Sequence, residues 1–200
     1  MRLCFFGDSI VAGAGDDAAL GWPGRLTAHA RLAGVDVTAY NLGVRRDTSS
    51  DIAARWGAEA VARLPADFER RLAFSFGAND CVLDAHGGSR VAHEQALANA
   101  ESILSQARGV APTIMIGPAP IADDPAAGAR IMRLSEDLEG VCAGLGVPYL
   151  PIFGHLMNHC EIWMEEARRG DGAHPNSGGY AALAEFIGAW PAFRKWIGLA

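Results

Sequence analysis

Five short apolar runs are separated by longer stretches with helical spacing, and this alternation restricts the fold more than any other feature of the chain. The runs lie at residues 3–6, 35–42, 72–76, 113–116 and 147–151. They are rich in Val, Ile and Phe and are bounded by Gly, Pro or Asn, which marks strands. Residues 23–32, 48–63, 90–108 and 126–145 carry Ala, Leu, Glu and Arg with apolar positions at helical spacing. Residues 154–168 and 177–196 read the same way. Strand alternating with helix implies a parallel sheet covered on both faces, and right-handed crossovers make it a three-layer α/β/α sandwich. The 200 residues contain no repeat, low-complexity tract or linker rich in Pro, Gly or Ser, so one domain over residues 1–200 is expected.

An open parallel sheet binds ligands at the carboxyl ends of its strands, near a topological switch point. The residues that follow each run are therefore the ones to read for chemistry. After the first run comes Gly7-Asp8-Ser9, where Gly7 permits a sharp turn and Ser9 is presented at the strand end. Asp8 or Ser9 could equally do no more than cap a helix. After the second comes Asn41-Leu42-Gly43, then Val44-Arg45-Arg46-Asp47-Thr48, where the glycine lets backbone approach a ligand. After the third comes Gly77-Ala78-Asn79-Asp80, whose Asn side chain is a neutral donor suited to an oxyanion or to an Asx turn. After the fourth comes the stiff loop Gly117-Pro118-Ala119-Pro120. Near the end of the sequence stands Asp171-Gly172-Ala173-His174-Pro175. A turn explains its glycine and proline but has no need of the histidine. Acyl transfer needs such a set: a nucleophile, a base, an orienter for the base, and donors for the oxyanion.

Charge and cysteine usage narrow the partners. The formal net charge is −6, Lys195 is the only lysine, and the arginines are scattered, which argues against nucleic acid. Cys4, Cys81, Cys142 and Cys160 are widely spaced without a CxxC pair, and Cys4 reads as a small buried hydrophobe. The apolar run at 3–6 is too short for a signal-peptide core, and no stretch approaches the ~20 apolar residues of a membrane helix. A reduced, cytoplasmic protein with no membrane span is the expectation. His155 and His159 lie four apart beside Cys160, but no second motif supplies further ligands, so an ordinary helix face is expected and no metal site. Trp190, Phe193 and Trp196 are expected in the core or at a subunit contact, leaving a homo-oligomer possible.

Four blocks, FFGDSI (5–10), NLGV (41–44), GAND (77–80) and DGAHPN (171–176), together resemble the SGNH-hydrolase superfamily, also called the GDSL family of esterases and lipases. The resemblance covers nearly the whole chain. It implies a flavodoxin-like three-layer sandwich with a five-stranded parallel sheet and no cofactor. It also implies Ser9 as nucleophile, His174 as general base and later acid, and Asp171 as the group that orients His174. The oxyanion hole it implies consists of the N–H groups of Ser9 and Gly43 and the side-chain amide of Asn79. Two departures stand out: Ile10 replaces the Leu of the family name, and Arg45 and Arg46 replace a small Ser-Gly pair common in relatives. The two arginines either pair with neighbours such as Asp8, Asp47 or Asp80, or recognise an anionic group on the substrate. The expected substrate is a small ester with a short acyl chain. Thioester hydrolysis, carbohydrate deacetylation and a non-catalytic binding module are the alternatives.

Overall fold

The computed structural model of the protein describes residues 1–199. Its five strands are β1 (Arg2–Gly7), β2 (Thr38–Gly43), β3 (Arg70–Ser75), β4 (Thr113–Ile116) and β5 (Tyr149–Leu150). They form one all-parallel sheet in the order β2-β1-β3-β4-β5. That is the doubly wound, flavodoxin-like order, and its switch point lies between β1 and β3. The connecting helices are α1 (Ser9–Ala12), α2 (Gly21–Leu32), α3 (Ser49–Arg63), α4 (His93–Val110), α5 (Pro125–Leu145), α6 (Phe153–His159), α7 (Glu161–Arg169), α8 (Ser177–Ala189) and α9 (Pro191–Ile197).

Alternation along β1 divides the core. Leu3 and Phe5 enter one cluster, with Trp22 of α2, Trp163 of α7 and Leu183 and Ile187 of α8. Cys4 and Phe6 enter the other, with side chains of α3, α4 and α5. Phe5 meets Trp22 edge to face at 5.2 Å, and Phe6 stacks on Phe74 at 5.4 Å. Each such ring contributes about 2–3 kcal/mol through burial alone. These two slabs hold the carboxyl ends of β1 and β3 in fixed register, which is where the chemistry-bearing residues sit.

Two sequence-derived helices are each broken in two. The stretch 177–196 splits at Trp190, which is extended (φ −68°, ψ 120°) because Pro191 disfavours helical backbone before it. The stretch 154–168 splits at Cys160 (φ −130°, ψ 73°), where no proline or glycine marks the break. Gly7 is required by close packing: a Cβ there would come within 2.2 Å of the Ser75 carbonyl and 2.3 Å of Val11 Cγ2. All four cysteines are buried and free. Among the described residues no helix is long and apolar enough to cross a membrane.

Candidate active site

β1 ends at Gly7 and runs directly into α1. The Ile10 N–H donates to Asp8 Oδ1 at 2.9 Å, so Asp8 caps the helix and Ser9 becomes its first residue, 7% exposed. The second component comes from the turn after α7. There the N–H groups of Ala173 and His174 donate to Asp171 Oδ1 at 3.1 and 2.9 Å, closing an Asx-type turn. The other oxygen, Asp171 Oδ2, lies 2.7 Å from His174 Nδ1, and His174 Nε2 lies 2.7 Å from Ser9 Oγ. A carboxylate at Nδ1 holds the proton there, which leaves Nε2 of the neutral ring to accept from the Ser9 hydroxyl. The structure thus brings Ser9 together with a residue 165 positions away in sequence.

Burial opposes ionisation of Asp171, but the His174 ring, with the N–H groups of His174 and Ala173, more than offsets it and holds the carboxyl down at about 2. Asp171 is therefore ionised at neutral pH. Asp8 shows the reverse. Only 4% exposed, it is pushed up to about 7, chiefly by burial and further by the charges of Asp80 and Asp47. In the unfolded chain it titrates near 3.9, so ionising Asp8 burdens the folded state alone. Stability on this account falls as pH rises from about 4 to about 7, then levels off. Asn caps a helix about as well as Asp. Asp8→Asn should therefore match the wild-type Tm near pH 4 and exceed it at pH 8. An equal difference at both pH values in thermal unfolding would contradict this.

Asn79 follows β3 across the switch point. Its amide Nδ2 donates to the Asp47 carbonyl at 3.0 Å and approaches Asp8 Oδ2 at 3.4 Å. Gly43, by contrast, does not present a free donor: its N–H is taken by Asn41 Oδ1 at 3.0 Å. The glycine is needed for packing, since a Cβ there would come within 2.2 Å of the Ala12 nitrogen. In the loop that follows, the N–H groups of Val44 and Asp47 donate to Gly7 and Val44 carbonyls, whereas those of Arg45 and Arg46 have no partner among the described residues. Arg46 adopts a left-handed φ of 70°, strained for a residue with a side chain. Arg90 Nη1 holds the Arg46 carbonyl at 2.9 Å. Arg55 fastens the same region, donating to the carbonyls of Gly7 and Leu42 and to Asp47 Oδ2. Neither Arg55 nor Arg90 is marked by any local motif. The departure at Arg46 from the Ser-Gly pair noted in the sequence was the available signal for the left-handed turn.

The two arginines of the loop diverge. Arg45 lines a cavity of about 470 Å3 beside His174, with Glu166, Arg169, Asp171 and Asn176, and its guanidinium lies 3.9 Å from Asp171. Arg46 is not part of that lining and makes no ion pair among the described residues. Neither pairs with Asp8, Asp47 or Asp80; Asp47 is held by Arg55 instead. His155 of the set-aside histidine pair lies flat on Phe186, ring centroids 3.6 Å apart.

A family model described as the GDSL-like lipase/acylhydrolase family matches residues 5–182. The chain belongs to that family. As a GDSL-like acylhydrolase it is a carboxylic ester hydrolase. No curated protein sequence matches it significantly. Several solved structures share its fold. An acetylxylan esterase from Geobacillus stearothermophilus is 20% identical with a TM-score of 0.76, over 100% of this chain and 94% of that one. A lipase/acylhydrolase from Enterococcus faecalis is 26% identical with a TM-score of 0.76, over 98% and 95%. An α/β hydrolase from the metagenome of Lake Arreo, Spain, is 21% identical with a TM-score of 0.76, over 98% and 94%. The GDSL-like block that carries Ser9 and the block that carries Asp171 and His174 meet at one end of the sheet.

Proposed function

We propose that the protein is a serine esterase that cleaves small esters with short acyl chains through an acyl-enzyme. The observation that carries this reading is the His174 ring, 2.7 Å from both Ser9 Oγ and Asp171 Oδ2. Ser9 Oγ attacks the acyl carbonyl while its proton passes to His174 Nε2. Asp171 stabilises the imidazolium so formed. His174 then returns the proton to the departing alcohol, and water attacks the acyl-Ser9 ester by the same base. The oxyanion is held by the Ser9 N–H at the start of α1, by the Asn79 amide, and by the Arg46 N–H in place of that of Gly43.

The cavity beside His174 is polar, lined by Arg45, Glu166, Arg169 and Asn176. Such walls suit a hydroxylated or charged leaving group better than a long acyl tail. The same polarity favours carbohydrate deacetylation as the second reading, and an acetylxylan esterase is among the proteins that share the fold. Hydrolysis of p-nitrophenyl esters from acetyl to dodecanoyl tests the acyl preference: rates should be highest for acetyl and fall with chain length. A preference for the long chains would overturn it. Arg45 is proposed to recognise an anionic group on the leaving alcohol. Arg45→Ala should raise KM for a negatively charged ester by about 10-fold, the loss of one charge-assisted contact. KM for a neutral ester should not change. Equal KM effects on both would remove the proposal.

A further inference from the structure

Ser9 and His174 stand 165 residues apart in sequence, and their 2.7 Å contact requires something to hold the two segments together. We propose that Asp16 is a positioning residue that sets the Ser9–His174 separation by tying the loop after α1 to the turn that carries His174. The inference rests on the roles proposed above for those two residues.

The side chain of Asp16 is fully buried. Its Oδ2 accepts from the N–H groups of Leu20 and Gly21 at 3.1 and 2.7 Å and from Arg25 Nη1. Its Oδ1 accepts from the Ala18 N–H and Arg25 Nη2, both at 3.1 Å, and from Ser177 Oγ at 2.6 Å. One carboxylate thus shapes its own loop, seven residues after Ser9, and grips the first residue of α8, three residues after His174. Arg25 Nη2 also donates to the Ser177 carbonyl at 3.3 Å.

Neighbouring bonds extend the seam. The Asp17 N–H donates to Asn176 Oδ1 at 3.1 Å, and Asn176 Nδ2 donates back to Asp17 Oδ2 at 2.7 Å. Tyr180 Oη donates to the Ala14 carbonyl at 2.7 Å. Gly15, at φ 86°, lets the backbones close up: a Cβ there would come within 2.8 Å of the Pro175 carbonyl and 3.1 Å of His174 Cβ. The α8 cap does not depend on the Ser177 hydroxyl, because Asn176 Oδ1 accepts from the Ser177 N–H. Bonds with Arg25 and Ser177 hold the Asp16 carboxyl far below the usual carboxylate range, so the tie stays charged at any working pH.

A nucleophile displaced by about 1 Å from its base can lose about 100-fold in rate. Ser177→Ala removes the cross-loop hydroxyl and leaves the Asp16–Arg25 pair intact, so it should fold. With p-nitrophenyl acetate, its kcat should fall about 10- to 100-fold while KM changes less than about twofold. Labelling of Ser9 by a fluorophosphonate should slow in parallel. Ser177→Thr, which keeps the hydroxyl, should recover most of the rate. A crystal structure of Ser177→Ala should show the Ser9 Oγ to His174 Nε2 gap opened past about 3.2 Å. Unchanged kcat and labelling, or an unchanged gap, would overturn the proposal whatever the Tm. Ser9→Ala measured alongside separates the two readings. If it is inactive while Ser177→Ala is fully active, only the positioning role fails. If it retains activity, the nucleophile assignment itself fails.

Discussion

Ser9→Ala should lower kcat for p-nitrophenyl acetate by about 10,000-fold or more while leaving the protein folded. The size follows from the chemistry. Without the hydroxyl no acyl-enzyme forms, and the remaining donors can only assist direct attack by water. The fold should hold because the cap of α1 belongs to Asp8, whose Oδ1 binds the Ile10 N–H. On the proposed mechanism Ser9, His174 and Asp171 act as one unit, so their losses should not multiply. The double variant Ser9→Ala/His174→Ala should be no slower than Ser9→Ala alone. Initial rates at saturating ester, with a Tm for each variant, check both statements. A loss under about 10-fold in Ser9→Ala would mean that another group attacks the ester.

Asn79→Ala should cost about 100- to 1,000-fold in kcat, the usual worth of one oxyanion donor at about 3–4 kcal/mol. On the proposed oxyanion role KM should stay nearly constant, since the amide would meet full charge only in the tetrahedral state. The amide also donates to the Asp47 carbonyl at 3.0 Å, so a stability loss of about 1 kcal/mol should accompany the substitution. The two effects are separable by measuring rate well below the Tm. A raised KM with unchanged kcat would place Asn79 in ground-state binding instead.

The strand pattern was readable because Val, Ile and Phe runs in a parallel sheet are buried on both faces. The limits of β2 and β5 were not. Val35 and Val37 look like strand, yet pairing with β1 begins at Arg2 opposite Thr38, so little neighbour remains for them. β5 shrinks to Tyr149–Leu150, between Pro148 and Pro151, whose nitrogens cannot donate to a ladder. The Asp171–His174 contact was readable because its spacing is local, and the placement of Ser9 at a strand end because a strand must end in a turn. The backbone of the second block was harder to read. A conspicuous glycine, Gly43, drew attention, while the left-handed turn sits at Arg46, where the residue type hides it. Nothing in the sequence singles out Asp16, because its partner Ser177 is 161 residues away.

The long separation between Ser9 and His174 has a kinetic consequence. On the proposed mechanism the 165 positions between them must be closed before one turnover is possible. Loop-closure entropy grows only slowly with length, but contacts this distant delay folding because nothing local rewards them early. On the proposed mechanism, recovery of ester hydrolysis during refolding therefore reports the meeting of these two distant segments.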